Sequence, residues 1–215
     1  MHSQELVEVI TGIVKKQLAQ ADKKIPLGIS NRHVHLAREH VAQLFGTGAK
    51  LIKARDLSQP GQYACEQKVT LVGPLGVLEK VRVLGPAREK TQVEIALSDS
   101  YKLGIKAPVR DSGDLVGSAP ITLVGDVGSV TIREGCIIAA RHIHMTPEDA
   151  RSFGVKDGQR VRAEVKGPRG VVFCEVLVRV SAKYSLEMHL DRDEANAASL
   201  SNGSWAELII TPVHK

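Results

Sequence analysis

The chain has 215 residues, of which 43% are hydrophobic, 25% charged and only 3% aromatic, and a formal net charge of +5. That length suits one large domain or two small ones, the core has to be aliphatic, and the shortage of aromatic rings excludes a stacking platform for single-stranded nucleic acid. Lysine and arginine are spread without a long run, which excludes a basic nucleic-acid-binding arm, while the mild positive balance suits an anion such as phosphate or a nucleotide-like cofactor.

Residues 3–20 carry Leu6, Ile10, Ile13, Val14 and Leu18 at helical spacing, with Glu5, Glu8, Lys15, Lys16 and Gln17 mostly on the other faces, and predict an amphipathic helix. Such a helix is marginal alone, so its stripe either packs on its own domain or docks onto another protein. Asp22-Lys23-Lys24-Ile25-Pro26 ends it. Next comes Ser30-Asn31-Arg32-His33-Val34-His35-Leu36, followed by a helix over about 37–45. Val69–Val72, the turn Gly73-Pro74-Leu75-Gly76 and Val77–Leu84 read as strand, turn, strand. Val93–Leu97 and Ile121–Val124 are further short strands. Ala139-Ala140-Arg141-His142-Ile143-His144-Met145 repeats the first histidine motif 109 positions later and again precedes a helix, over about 147–153. Val161–Lys166, the turn Gly167-Pro168-Arg169-Gly170 and Val171–Val178 repeat the hairpin, and Asp193–Ala198 is helical. Many short strands with Gly/Pro turns indicate barrels or sandwiches. The repeats indicate two similar barrels, so the fold class is mainly β with few short helices.

Four of the eight histidines fall in the two matched pairs. Side chains at i and i+2 of a strand share a face, about 6.6 Å apart at ~3.3 Å per residue, and two imidazoles so placed can converge on one metal ion. His189 is a candidate third ligand for His142 and His144; no further histidine is well placed for His33 and His35, where Glu94 is the candidate. Three protein ligands leave coordination positions open, as catalytic metal sites do. Arg88, in a basic turn just before Glu94, can grip a phosphate bidentately. No Walker A loop, GxGxxG or GxSxG is present. The three scattered cysteines exclude a disulfide framework or CxxC zinc motif; Cys136 and Cys174, beside apolar residues, are expected to be buried, and His2, His40 and His214 to be plain surface residues. No segment approaches the ~20 apolar residues of a membrane span and no secretory signal is evident, so an intracellular protein is expected.

Ile25-Pro-Leu-Gly-Ile-Ser-Asn-Arg-His-Val-His-Leu36, Gln59-Pro-Gly-Gln-Tyr63, Val81-Arg-Val-Leu-Gly-Pro-Ala-Arg88, Gln92-Val-Glu-Ile95, Arg141-His-Ile-His-Met145 and Leu186-Glu-Met-His-Leu190 with the following Asp193–Ala198 resemble the PduL-type phosphate propanoyltransferases of bacterial microcompartments. The resemblance runs from about residue 25 to about 210. It implies two tandem β-barrels with the active site between them. The implied organisation is a targeting helix at 1–20, a first barrel over 21–140 whose first strand, about 25–31, packs in the second barrel, and a second barrel over 141–215. It implies interconversion of acyl-CoA plus phosphate with acyl phosphate plus CoA, by direct metal-assisted attack, the acyl group being propanoyl or acetyl. Two zinc ions are implied, one on His33, His35 and Glu94 and the other on His142, His144 and His189, with Arg88 on phosphate. Ile29, Ser30, Asn31, Leu75, Arg82 and Asn196 match CoA-contacting positions. Residues 3–20 are similar to the helix that directs family members to microcompartment shell or cargo proteins in the lumen, and a homo-oligomer is expected, with neither nucleic acid nor membrane as partner. The residues alone also admit a non-catalytic metal-binding scaffold module, or a zinc-dependent thioester hydrolase.

Overall fold

The computed structural model describes residues 23–209, together with Val7 and Thr11. The segment 3–20, read above as an amphipathic helix, otherwise lies outside the described residues, as do His2 and His214. The strands are β1 (Lys24–Ser30), β2 (His33–Ala37), β3 (Lys53–Asp56), β4 (Tyr63–Val72), β5 (Val77–Arg88), β6 (Gln92–Glu94), β7 (Val109–Arg110), β8 (Ala119–Val124), β9 (Ser129–Ala139), β10 (His142–Met145), β11 (Arg160–Val165), β12 (Val171–Val180), β13 (Glu187–Asp191) and β14 (Trp205–Ile209). The strand expected over Val93–Leu97 stops at Glu94, because a helix begins at Leu97. No described helix is long and apolar enough to cross a membrane.

The strands close two six-membered rings. In the first, β2, β5, β4, β8, β9 and β6 pair in that cyclic order, with β3 added on β4 and β7 on β9. In the second the order is β10, β12, β11, β14, β1 and β13. Corresponding pairs run in the same sense: β2·β5 and β10·β12 are parallel, as are β6·β9 and β1·β13, and the others are antiparallel. Closure leaves neither ring with a free edge. The repeated histidine motif is thus the visible part of a repeated barrel.

Each barrel contains the strand that precedes the other barrel's histidine pair. β1 leads into β2 of the first barrel yet closes the second; β9 leads into β10 of the second yet belongs to the first. The chain crosses between barrels at Asn31-Arg32 and again at Ala140-Arg141. These crossovers explain why an arginine precedes each pair. Arg32 binds Asp99 at 2.8 and 2.5 Å, and Arg141 binds Glu194 at 2.7 Å. Both acids sit in the first turn of the helix that follows the strand beside the pair, Leu97–Leu103 or Arg192–Ala197, where negative charge suits the helix dipole.

Each barrel has its own core. Val34, Leu36, Leu71, Val83 and Leu123 are fully buried in the first, and Ile25, Ile143, Val176, Val178 and Met188 in the second. Each such aliphatic side chain stabilises by about 1.5–3 kcal/mol. Among the places where inward and outward residues stop alternating, two are equivalent in the two barrels. Lys80 in β5 and Glu175 in β12 both have φ of 56°, and the ladders beside them shift register. These are β-bulges, which reset the phase of alternation. The bulge corrects one expectation: Phe173 and Val176 face inward, so Cys174 between them is exposed, whereas Cys65 and Cys136 are buried. His40 is a second correction. It is half-buried, its Nδ1 2.7 Å from Thr91 Oγ1, and the same hydroxyl accepts the Ala37 N–H at 2.8 Å.

Candidate active site

β2 is flanked by β5 and β6, and β10 by β12 and β13. In the antiparallel register His33 lies opposite Glu94, and His142 opposite His189. The third candidate ligand is therefore the direct cross-strand neighbour of the first histidine in both halves, where side chains approach closely. In each set, His33, His35 and Glu94 or His142, His144 and His189, one potential ligand atom per residue lies within 4.8 Å of the others. His33 Nδ1 donates to the Asn31 carbonyl at 2.8 Å, and His142 Nδ1 to the Ala140 carbonyl at 2.9 Å. These bonds fix the tautomer and leave each Nε2 lone pair free.

The electrostatics keep His35, His142 and His144 neutral. Burial, then neighbouring charge, holds His142 at about 4 and His144 at about 3, and His35 well below its usual range. Burial pushes the Glu94 carboxyl up, but nearby His33, His35 and His142 and the Ser112 hydrogen bond outweigh it and hold Glu94 at about 2. Neutral imidazole and ionised carboxylate are the ligating forms. The second histidine of each pair, His35 or His144, keeps a buried Nδ1 with no hydrogen-bond partner, a repeated vacancy in the polar bonding of a region otherwise well satisfied. The donor sets, nitrogen with one carboxylate and nitrogen only, fit zinc or a similar divalent ion.

Both sets open on one cavity of about 580 Å³, lined from both barrels. Five arginines line it: Arg32, Arg55, Arg82, Arg88 and Arg179. Arg88 NH2 is 3.0 Å from His35 Nε2, which puts a guanidinium beside the first set. Ile29, Ser30, Asn31 and Arg82 also line the cavity, while Leu75 and Asn196 do not. Leu75 is 79% exposed at the β4–β5 turn, its N–H bonded to the Leu103 carbonyl. Asn196 lies in the last turn of the helix Arg192–Ala197.

Several residues in or beside the site were not anticipated. Tyr184 stacks on His144, ring centroids 4.3 Å apart. Arg179 pairs with His144 across β10·β12. Glu187 Oε2 lies 2.6 Å from His189 Nε2; burial raises its carboxyl, but bonds from His189 and Ser58 hold it at about 2. Gln92 and Ser112 both bond Glu94 Oε1, at 2.5 and 3.1 Å. One signal was present in the chain, since Gln92 and Glu187 each stand two residues before a third ligand. Arg55, Arg179 and Tyr184 come from segments with no motif.

The fold and site define the class: a double-barrel protein whose halves each present three candidate metal ligands to one shared, arginine-lined cavity. The profile of the phosphate propanoyltransferase family matches residues 26–201. A phosphate propanoyltransferase of Thermotoga maritima is 50% identical over 194 residues, covering 90% of this chain and 92% of the relative. One from Priestia megaterium is 52% identical, covering 94% of each, and one from Lachnoclostridium phytofermentans 48% identical, covering 94% of this chain and 98% of its own. The chain belongs to the phosphate propanoyltransferase family.

Proposed function

We propose that the protein is a phosphotransacylase that interconverts acyl-CoA and phosphate with acyl phosphate and CoA, the acyl group being propanoyl or acetyl. The observation that carries this reading is the meeting of Arg88 with both ligand sets in one cavity. His33, His35 and Glu94 would hold one divalent ion, zinc by donor type, and His142, His144 and His189 a second. Such an ion, when bound, polarises a thioester carbonyl and favours departure of a thiolate. Arg88 binds and orients phosphate, with Arg179 adding positive charge to the same cavity. A phosphate oxygen attacks the thioester carbonyl carbon, the C–S bond breaks, and CoA leaves as the thiolate.

Direct attack agrees with the cysteine chemistry. No cysteine lines the cavity, and burial pushes Cys65 up to about 11 and Cys136 up to about 12, so neither supplies a thiolate nucleophile at neutral pH. Ile29, Ser30, Asn31 and Arg82 form the cavity wall assigned to CoA, and Leu75 and Asn196, outside the lining, are the proposed outlying CoA contacts. Residues 3–20 are the proposed tether to microcompartment shell or cargo proteins, which would put the enzyme in the compartment lumen, and a homo-oligomer is the proposed assembly.

The test is thioester formation from CoA and propanoyl phosphate, followed in the ultraviolet, with chelator and zinc add-back. Turnover lost to chelator and restored by zinc is the expected result. CoA release from propanoyl-CoA that proceeds equally without phosphate would make the protein a thioester hydrolase, and zinc-loaded, folded protein with no turnover would make it a binding module.

A further inference from the structure

Gln92 and Glu187 occupy equivalent places in the two barrels. Gln92 lies opposite His35 in the β2·β6 register, and Glu187 opposite His144 in the β10·β13 register. Neither belongs to the ligand sets, yet each contacts the third member of its own set.

In the first barrel Glu94 Oε1 accepts from Gln92 Nε2 at 2.5 Å and from Ser112 Oγ at 3.1 Å. That leaves Oε2, 3.4 Å from His33 Nε2, as the oxygen turned toward the histidines. The amide cannot be flipped without loss. Its Oε1 accepts the Gly113 N–H at 2.9 Å, and its Nε2 also donates to Ser112 Oγ at 2.8 Å. In the second barrel His189 Nε2 donates to Glu187 Oε2 at 2.6 Å, which leaves the Nδ1 lone pair to the cluster. Glu187 is itself held from the first barrel, by Ser58 Oγ at 2.5 Å and Gln59 Nε2 at 3.2 Å. Gly28 makes room for it, since a Cβ there would come 2.8 Å from the carboxylate.

The chemistry is complementary in each half: an amide donor faces a carboxylate, and a carboxylate acceptor faces an imidazole N–H. We infer that Gln92 and Glu187 are matched positioning residues, each selecting which atom of Glu94 or His189 is presented to a metal ion. This rests on reading the two clusters as metal sites. Partners that orient a ligand in this way typically change metal affinity 10–100-fold when altered.

The experiment is cobalt(II) titration of the full chain against a chromophoric chelator, with the visible spectrum recorded at each step. Wild type gives two binding steps, assigned by the loss of one in His35→Ala and of the other in His144→Ala. Glu187→Gln is expected to weaken the His144 step about 10–100-fold, alter its spectrum and spare the other. Gln92→Met, close in volume, does the converse. Ser112→Ala, which removes one of the two bonds to Glu94 Oε1, weakens the His35 step by less and serves that site should Gln92→Met fail to fold. Two unchanged steps with unchanged spectra in Glu187→Gln and in the folded variants at Gln92 or Ser112 would overturn the positioning assignment while leaving the metal reading intact. Wild type that takes up no cobalt overturns the metal reading and this inference with it.

Discussion

At the scale of single residues, charge placement yields a prediction for activity and one for acid sensitivity. Arg88 is the guanidinium beside the first ligand set. Arg88→Ala should lower kcat/KM for phosphate by on the order of 10²-fold or more, as removal of one pre-organised donor does, with a raised KM for phosphate. Steady-state kinetics that show phosphate use unchanged would remove Arg88 from the phosphate site. The histidines set the pH response of metal-free protein. His142 and His144 stay neutral in the fold down to about 4 and 3, against an ordinary value of 6.5. Below 6.5 the unfolded chain takes up protons that the folded chain does not, so stability falls as pH is lowered and rises as pH is raised. Glu94 and Glu187, held at about 2 against 4.5, add a loss of the same sign at lower pH. The melting temperature of the chelated protein should be level between about pH 7 and 8 and decline from about 6.5 towards 4; a flat profile across that lower range would contradict burial of neutral imidazoles. The histidine pairs were legible because a period of two and a repeated context both survive in linear sequence. Gln92 was signalled only by its place two residues before Glu94, and Ser112 not at all, since its role exists only once β6 and the 111–118 loop lie side by side.

At the scale of elements, the two bulges govern which side chains reach the core. Lys80 and Glu175 adopt left-handed backbone without being glycine, a conformation that a β-branched residue tolerates poorly. Glu175→Val should cost about 1–2 kcal/mol and lower the melting temperature by several degrees. Glu175→Gly, relieved of the Cβ penalty but carrying the entropy cost of glycine, should lie near wild type. Thermal melts of the pair test this, and equal stability would show that the bulge is not strained. The hairpin signals around Gly73–Gly76 and Gly167–Gly170 gave both β4–β5 and β11–β12 correctly. A bulge has no such signature at Lys80 or Glu175, and that is why the apolar neighbours of Cys174 misled.

At the scale of the molecule, two separate cores would suggest two independent units, but the connections oppose this. Each barrel is completed by a strand whose sequence neighbour belongs to the other. Ser58 and Gln59 of the first barrel bond Glu187 and Ser185 of the second, and Arg160 reaches Asp111 at 3.3 Å. The whole chain should therefore unfold in one calorimetric transition, with equal calorimetric and van't Hoff enthalpies, and zinc should raise that single transition by preferential binding to the folded state. Two resolved transitions, with only one moved by zinc, would refute the coupling. The repeat announced two barrels in the sequence. The closure of the second by β1 could be taken only from the family resemblance, because no local pattern records that Lys24 pairs with Glu207.

That pairing has a consequence for synthesis in the cell. β1 is made early, but its antiparallel partner β14 emerges about 180 residues later, roughly ten to forty seconds at ~5–20 residues per second. The first barrel can close around β9 while β1 still waits as an unpaired strand. Its sequence suits a wait, since Lys24 and Pro26 both discourage pairing with a neighbouring chain. The ribosome thus delivers one finished barrel and one that stays open until β14 has been made, and the cavity between them forms only then.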